Sequence, residues 1–234
     1  MPNPEPVHTV VFDLDDTLYA EADFVDSGFR AVDHWLSVHE GVKGFLEHAR
    51  RHFNTGMRGK IFDAALNDLG VVAVPERVTI LVEVYRSHVP EISLDAAVSR
   101  FLDWTAPRFN LAVLTDGYAV AQRQKLEALK LRRWFDCIIV TDEIGRQFWK
   151  PHRIGFERIM ARFAGAVAGY VYVADNPQKD FIAPRQLGWR TVRLRRERGE
   201  YTRHESKKNE LIDLEITSLP ELKTWLTGFQ KSVP

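Results

Sequence analysis

Residues 8 to 18 read HTVVFDLDDTL. An apolar run suited to a buried strand, Val10 to Phe12, ends in three carboxylates, Asp13, Asp15 and Asp16. Like charges this close repel, so the arrangement costs stability unless a cation or bound ligand offsets it. Three further apolar runs end in polar residues. LAVL is followed by Thr115, Asp116 and Gly117. IIV is followed by Thr141 and Asp142, with Lys150 and Pro151 a short loop later. YVYVA is followed by Asp175 and Asn176, with Asp180 beyond them. A single Asp after a strand is an ordinary cap or turn residue; four polar strand ends on one edge form a set. Several carboxylates with no Cys or His among them suit a hard cation that takes oxygen ligands, Mg²⁺ first. A lysine, a threonine hydroxyl and the NH groups of a glycine turn suit phosphate oxygens. Metal and phosphate together balance the acidic crowd, with one carboxylate placed to attack a phosphorus held against it.

Positioning such a set needs a parallel sheet. The sequence predicts a strand over about Val7 to Asp13, then an all-helical stretch from about Glu21 to Val89. In that stretch Phe24, Phe29, Val32, Trp35 and Leu36 share a helical face, and Phe45, Leu46, Ala49 and Phe53 mark a second helix. Ile61 to Leu69 mark a third, stopped by Gly70, and Pro75 opens a fourth through Tyr85. After Pro90 the pattern alternates. Helices over about Ser93–Thr105, Ala119–Leu131, Ile154–Phe163 and Phe181–Leu187 interleave with strands at Leu111–Thr115, Cys137–Thr141, Tyr170–Ala174 and Thr191–Leu194, and a closing helix runs from Leu219 to Phe229. Short apolar strands between helices imply a sheet covered on both faces. The expected fold is α/β, a Rossmann-like doubly wound parallel sheet built from residues 1–19 and 90–234, with an all-helical cap over 20–89. Ligands of such sheets bind at the carboxyl ends of the strands, where the polar set falls.

The stretches FDLDDTL, LTDG, WKP and VADNPQKD, in this order and spacing, resemble the four motifs of the haloacid dehalogenase superfamily, most of whose members are phosphatases. The helical insert resembles the cap of the subgroup whose cap follows strand one. The resemblance implies that Asp13 is the nucleophile and forms an aspartyl-phosphate. It implies that Asp15 is acid to the leaving alcohol and base to water, and ligates Mg²⁺ through its backbone carbonyl. Thr115, the backbone NH at Asp116 and Lys150 would bind the phosphoryl group. Asp175 would be a direct metal ligand and Asp180 would support the site. Asp16, without such a role, is expected to hydrogen-bond the loop backbone, and the Asp116 side chain to point into its turn. Ala174 and Asp116 stand where the superfamily more often has Gly and Asn.

The expected function is therefore a Mg²⁺-dependent phosphatase of a small phosphorylated metabolite, a sugar phosphate, nucleotide or similar monoester. Alternatives are a phosphosugar mutase, a dehalogenase, and a non-catalytic phospho-ligand-binding or phospho-accepting module. Asp15 speaks against dehalogenation, which has no alcohol to protonate. The helical insert speaks against a phospho-accepting receiver domain. Lys plus Arg equals Asp plus Glu, 32 each, which argues against a nucleic-acid or membrane partner. The single cysteine, Cys137, read as a core thiol, and the absence of a basic, apolar leader point to a cytoplasmic location. Arg50, Arg51, His52, His34 and His39 read as surface residues, and RLRRERGEYTRHESKK as a solvated loop. Oligomeric state is open.

Overall fold

The computed structural model describes residues 5–197, 199–204 and 211–229. Six parallel strands form one sheet in the order β3-β2-β1-β4-β5-β6. They are β1 (Thr9–Phe12), β2 (Asn110–Thr115), β3 (Cys137–Val140), β4 (Tyr170–Ala174), β5 (Arg190–Leu194) and β6 (Leu214–Ile216). The chain builds outward from β1 through β2 to β3, then crosses back to β4 on the other side. The order reverses there, which opens a crevice at the strands' carboxyl ends. In register, Phe12 lies beside Val113 on one flank and Val173 on the other, so Asp13, Thr115 and Asp175 emerge together.

Alternation along β1 assigns its side chains to two cores. Val10 and Phe12 face one cluster, closed by Phe101 and Leu102 of α5 (Ala96–Thr105), Leu126 of α6 (Ala119–Ala128) and Leu222 and Leu226 of α9 (Leu219–Thr227). Val11 faces the other, closed by Phe156 and Ile159 of α7 (Ile154–Arg162) and Ala183 of α8 (Ile182–Gln186). Cys137 is half-buried at the edge of this second cluster, so it is less enclosed than expected of a core thiol.

Between β1 and α5 the chain forms four helices: α1 (Glu21–Glu40), α2 (Phe45–Asn54), α3 (Ile61–Asp68) and α4 (Pro75–Ser87). They enclose a third cluster, with Phe29, Val32, Leu36, Phe45, Phe62, Leu66 and Leu81 at its centre. The helices approach closely at Gly28, where a Cβ would lie 2.3 Å from the Tyr85 ring. Beside that contact, the Ser27 hydroxyl accepts from the Glu91 backbone NH at 2.8 Å and sits 3.0 Å from His88 Nε2. These contacts join the segment entering the helices to the one leaving them. Arg50 pairs with Asp26, Arg51 and His52 meet Asp68, and His34 and His39 are exposed.

Two expectations fail. Strand β6 was not foreseen, because three residues, one of them Glu215, are too few to show a period. Nor is the charge-dense stretch wholly a solvated loop. Arg193 is 1 % exposed, and its guanidinium donates to the carbonyls of Tyr201 and His204 at 2.8 and 2.7 Å and pairs with Glu215 at 2.9 Å. Arg198 and residues 205–208 of that stretch lie outside the described residues.

Candidate active site

The sheet brings the expected residues to one edge. Asp13 continues β1, its NH donating to the Val173 carbonyl at 2.9 Å. Carboxylate oxygens of Asp13, Asp175 and Asp180 lie within 4.8 Å of one another, all buried. Lys150 reaches into this group from the loop after β3. Its ammonium is 2.7 Å from Asp13 Oδ1 and 2.8 Å from Asp180 Oδ1, and donates to the Tyr172 hydroxyl at 2.9 Å. Asp180 Oδ2 accepts from the Asn176 NH at 3.0 Å, which folds the loop after β4 back on itself.

The electrostatics are those of a group short of positive charge. Burial, with Asp180 and Asp13 close by, pushes the Asp175 carboxyl up to about 9. Burial also raises Asp13, to about 7, against the pull of Lys150. Burial disfavours the Lys150 ammonium, but Asp13 and Asp180 outweigh that and hold its pKa well above the lysine norm. One lysine among three buried carboxylates leaves the group incompletely neutralised. The donors are hard oxygens with no sulfur or imidazole, so the set fits a divalent cation of the Mg²⁺ kind and fits zinc poorly.

Asp15 points elsewhere, towards α6. Its carboxylate accepts from Lys125 Nζ at 2.7 Å, Gln122 Nε2 at 2.9 Å and the Tyr19 hydroxyl at 2.5 Å. Burial acts against its charge, but Lys125, Tyr19 and Gln122 more than compensate and hold its pKa below the usual value. Gln122 also donates to Thr115 Oγ1 at 2.6 Å, joining the end of β2 to the Asp15 network.

Asp16 takes the left-handed conformation, φ 49°. One of its oxygens accepts from the Glu21 NH that opens α1, and the other from the Glu200 NH, both at 2.9 Å. It thus ties the first insert helix to the loop after β5. The Asp116 side chain does not stay in its turn as expected. It accepts from Thr141 Oγ1 at 2.7 Å, from the Lys150 NH at 3.1 Å and from Lys179 Nζ at 2.9 Å. Three donors from two other loops explain why a carboxylate is tolerated there: it fixes the backbone of Lys150. Thr141 Oγ1 also lies 3.2 Å from the Thr115 carbonyl, and the carboxylate of Asp142 caps the NH of Ala119 at 2.9 Å.

Sequence reasoning missed Lys125, Gln122, Tyr19, Tyr172, Lys179 and Arg193. A signal existed for two of them. The buried face of α6 consists of Ala121, Gln122, Lys125 and Leu126, so two polar residues occupy an otherwise apolar helical stripe. Lys179 stands inside VADNPQKD but was given no role.

The polar edge forms the floor of a cavity of about 530 Å³ whose opposite wall is supplied by the helical insert. Phe24, Phe29, Phe53, Phe62, Val82 and Tyr85 line that wall, and Glu200 and Tyr201 line the side formed by the loop after β5. No described helix is long and apolar enough to cross a membrane.

A family model described as haloacid dehalogenase-like hydrolase matches residues 10–194. A glyceraldehyde 3-phosphate phosphatase of Methanocaldococcus jannaschii is 29% identical over 95% of this chain and 98% of its own length. A phosphoserine phosphatase of Thermus thermophilus is 32% identical over 58% of this chain and 53% of its own. Among solved structures, a HAD-hydrolase of Bacillus subtilis bound to magnesium superposes with a TM-score of 0.68 at 19% identity, covering 95% of this chain and 99% of that one. A 2-haloacid dehalogenase of Pseudomonas syringae gives 0.66 at 23%, covering 96% of this chain and 100% of that one. At these identities the two structures speak to the fold alone.

Proposed function

The chain belongs to the haloacid dehalogenase-like hydrolases, and we propose that within them it is a phosphatase of a small phosphorylated metabolite, working through Asp13. The observation that carries this is the pairing of two differently held carboxylates. Asp13 lies against Lys150 and the other acids. Asp15 is held by Lys125, Gln122 and Tyr19. The phosphatase relatives support the reaction class.

Asp13 attacks phosphorus as the bond to the leaving oxygen breaks, and the leaving alkoxide takes a proton from Asp15. Water then gives a proton to Asp15 and attacks the aspartyl-phosphate, releasing Asp13 and inorganic phosphate. The contact with Lys125 favours the ionised Asp15 needed as base in the second step. Acting first as acid requires Asp15 to loosen that contact. Thr115, Lys150 and the backbone around Asp116 bind the phosphoryl oxygens, with Lys150 positioned by the Asp116 side chain. Mg²⁺, held by Asp13, Asp175 and the Asp15 carbonyl, would neutralise phosphoryl charge there. Asp180 steadies the loop carrying Asp175.

Residues 20–89 serve as a cap over this site, on a core of 1–19 and 90–234, and exclude water while contacting the leaving group. We place the enzyme in the cytoplasm, with no nucleic-acid or membrane partner. A panel of phosphate monoesters, each assayed with Mg²⁺ and after EDTA treatment, tests the reading. Turnover should vanish with EDTA and return with Mg²⁺, while Zn²⁺ restores little. Undiminished turnover in metal-free buffer, or none on any ester with Mg²⁺, would overturn it.

A further inference from the structure

We propose that the alcohol half of the substrate carries an aromatic ring, so that this enzyme prefers aryl-bearing phosphate monoesters to triose or amino-acid phosphates. The inference rests on the phosphatase reading and deepens it. It comes from the wall facing the catalytic edge, not from the edge itself.

Five rings, Phe24, Phe29, Phe53, Phe62 and Tyr85, border the cavity from all four insert helices. They pack on one another, mostly edge to face. Ring centroids are 5.5 Å apart for Phe24 and Tyr85, 5.7 Å for Phe62 and Tyr85, 6.1 Å for Phe29 and Phe53, and 6.3 Å for Phe29 and Phe62. Phe24, Phe29 and Phe62 are buried behind this wall, and the half-buried Phe53 and Tyr85 keep the edges and faces open to an incoming ring. The cluster offers no donor or acceptor to a hydroxyl or aldehyde except the Tyr85 OH. A polar leaving group seated on these rings would lose its water there without replacing those hydrogen bonds, whereas an aryl group would not.

Charge on the cap side of the cavity comes from Arg58, Arg86, Lys60 and Asp63, and the first two stack on rings of their own. Arg58 donates to the carbonyls of Phe53 and Met57, lies over the Phe53 ring and pairs with Glu200. Arg86 lies 3.4 Å from the centre of the Tyr118 ring. The volume, about 530 Å³, falls within the roughly 300–1,000 Å³ typical of pockets that enclose drug-sized ligands, and far exceeds the needs of a triose phosphate.

The test compares three primary alkyl esters: 3-phenylpropyl phosphate and hexyl phosphate, whose leaving alcohols match in acidity, and glyceraldehyde 3-phosphate, whose alcohol is the more acidic and so the better leaving group. Acetyl phosphate, which carries no ring, reports phosphatase activity by itself. The wild-type enzyme with Mg²⁺ should show kcat/KM for the phenylpropyl ester about tenfold or more above both others, the scale on which apolar pockets discriminate. The Val82→Asn variant, which puts a carboxamide on the apolar wall, should lower the ratio of phenylpropyl to triose kcat/KM several-fold. Equal or greater kcat/KM for hexyl phosphate overturns the preference for a ring. Equal or greater kcat/KM for the triose ester, or an unchanged ratio in Val82→Asn, overturns an apolar subsite. In each case turnover of acetyl phosphate leaves the phosphatase reading standing. Loss of all four activities would remove that reading and this one together.

Discussion

The carboxyl edge of the sheet and the helical insert bury opposite kinds of side chain. At the edge the buried groups are charged and joined through lysines: Lys150 is shared by Asp13 and Asp180, Lys125 meets Asp15 and Lys179 meets Asp116. In the insert the buried groups are phenyl rings and aliphatic chains. Its ion pairs, Arg50 with Asp26 and Arg77 with Glu40, lie at the surface. A polar network works only in one geometry, because each donor needs its acceptor. An apolar wall tolerates many shapes of similar volume. On the function proposed above, the edge specifies the reaction while the insert selects among leaving groups.

Asp13→Asn should break the edge most completely. Turnover of p-nitrophenyl phosphate should disappear, with the circular-dichroism spectrum and melting of the folded protein retained. Retained activity would show that the two regions do not divide their labour as described.

Asp15→Asn should cost roughly 10²–10⁴-fold in rate, the scale of general acid–base catalysis. The loss should depend on the leaving group. p-Nitrophenolate departs without a proton, so the variant should give a burst of up to one product per site, then slow turnover. An alkyl phosphate should give no burst. A rapid-mix time course with both esters decides, and equal, modest slowing without a burst would remove Asp15 from its role.

The junction between the regions should respond to pH through His88. Burial lowers its pKa from the ordinary 6.5, with Arg30 and Lys125 adding to the effect and the Tyr85 carbonyl opposing it. The unfolded chain then binds a proton more readily than the folded one, so this contribution is intact above pH about 6.5. It is lost as pH falls from there towards the lower folded pKa. Asp13, Glu21 and Asp175 are raised and act in the opposite sense, equally in wild type and variant. The readout is therefore a difference: the stability of the wild type relative to His88→Gln, from urea melts, should fall between pH 7 and 5, and an unchanged difference would contradict the assignment.

Glu200→Gln should have the smallest effect. Its side chain meets Arg58 at 3.4 Å with both groups well exposed, so the pair contributes about 0–1 kcal/mol and less in high salt. A shift in KM of more than a few-fold would mean that this contact holds the cap more firmly than an exposed ion pair can.

Legibility in the sequence follows the same division. Asp13, Thr115 and Asp175 could be found because each follows an apolar run whose length and composition mark a parallel strand. The parallel register then brings their ends together. Lys125 and Gln122 were hidden because a polar residue on a helix is ordinarily solvated, and only the packing of α6 turns them inward. Arg193 was hidden for a related reason: in RLRR nothing distinguishes the buried guanidinium from its exposed neighbours. The side chain of Asp116 was misplaced because its partners, Thr141, Lys150 and Lys179, come from loops whose approach no local pattern records. The insert showed its helices through their apolar spacing, but not which faces of Phe53 and Phe62 would meet the cavity.

The Ser27 hydroxyl, between His88 and the Glu91 NH, has a consequence for how this protein could be rebuilt. It brings the outgoing and returning chain together at one seam, so the helices between form a cassette joined to the sheet by two neighbouring crossings. Insertions of this kind are tolerated where their ends lie close together. A different bundle spliced in at this seam would inherit Asp13, Lys150 and Asp175 in place, so on the proposed reading exchange of the cassette would change the enzyme's diet without altering its chemistry.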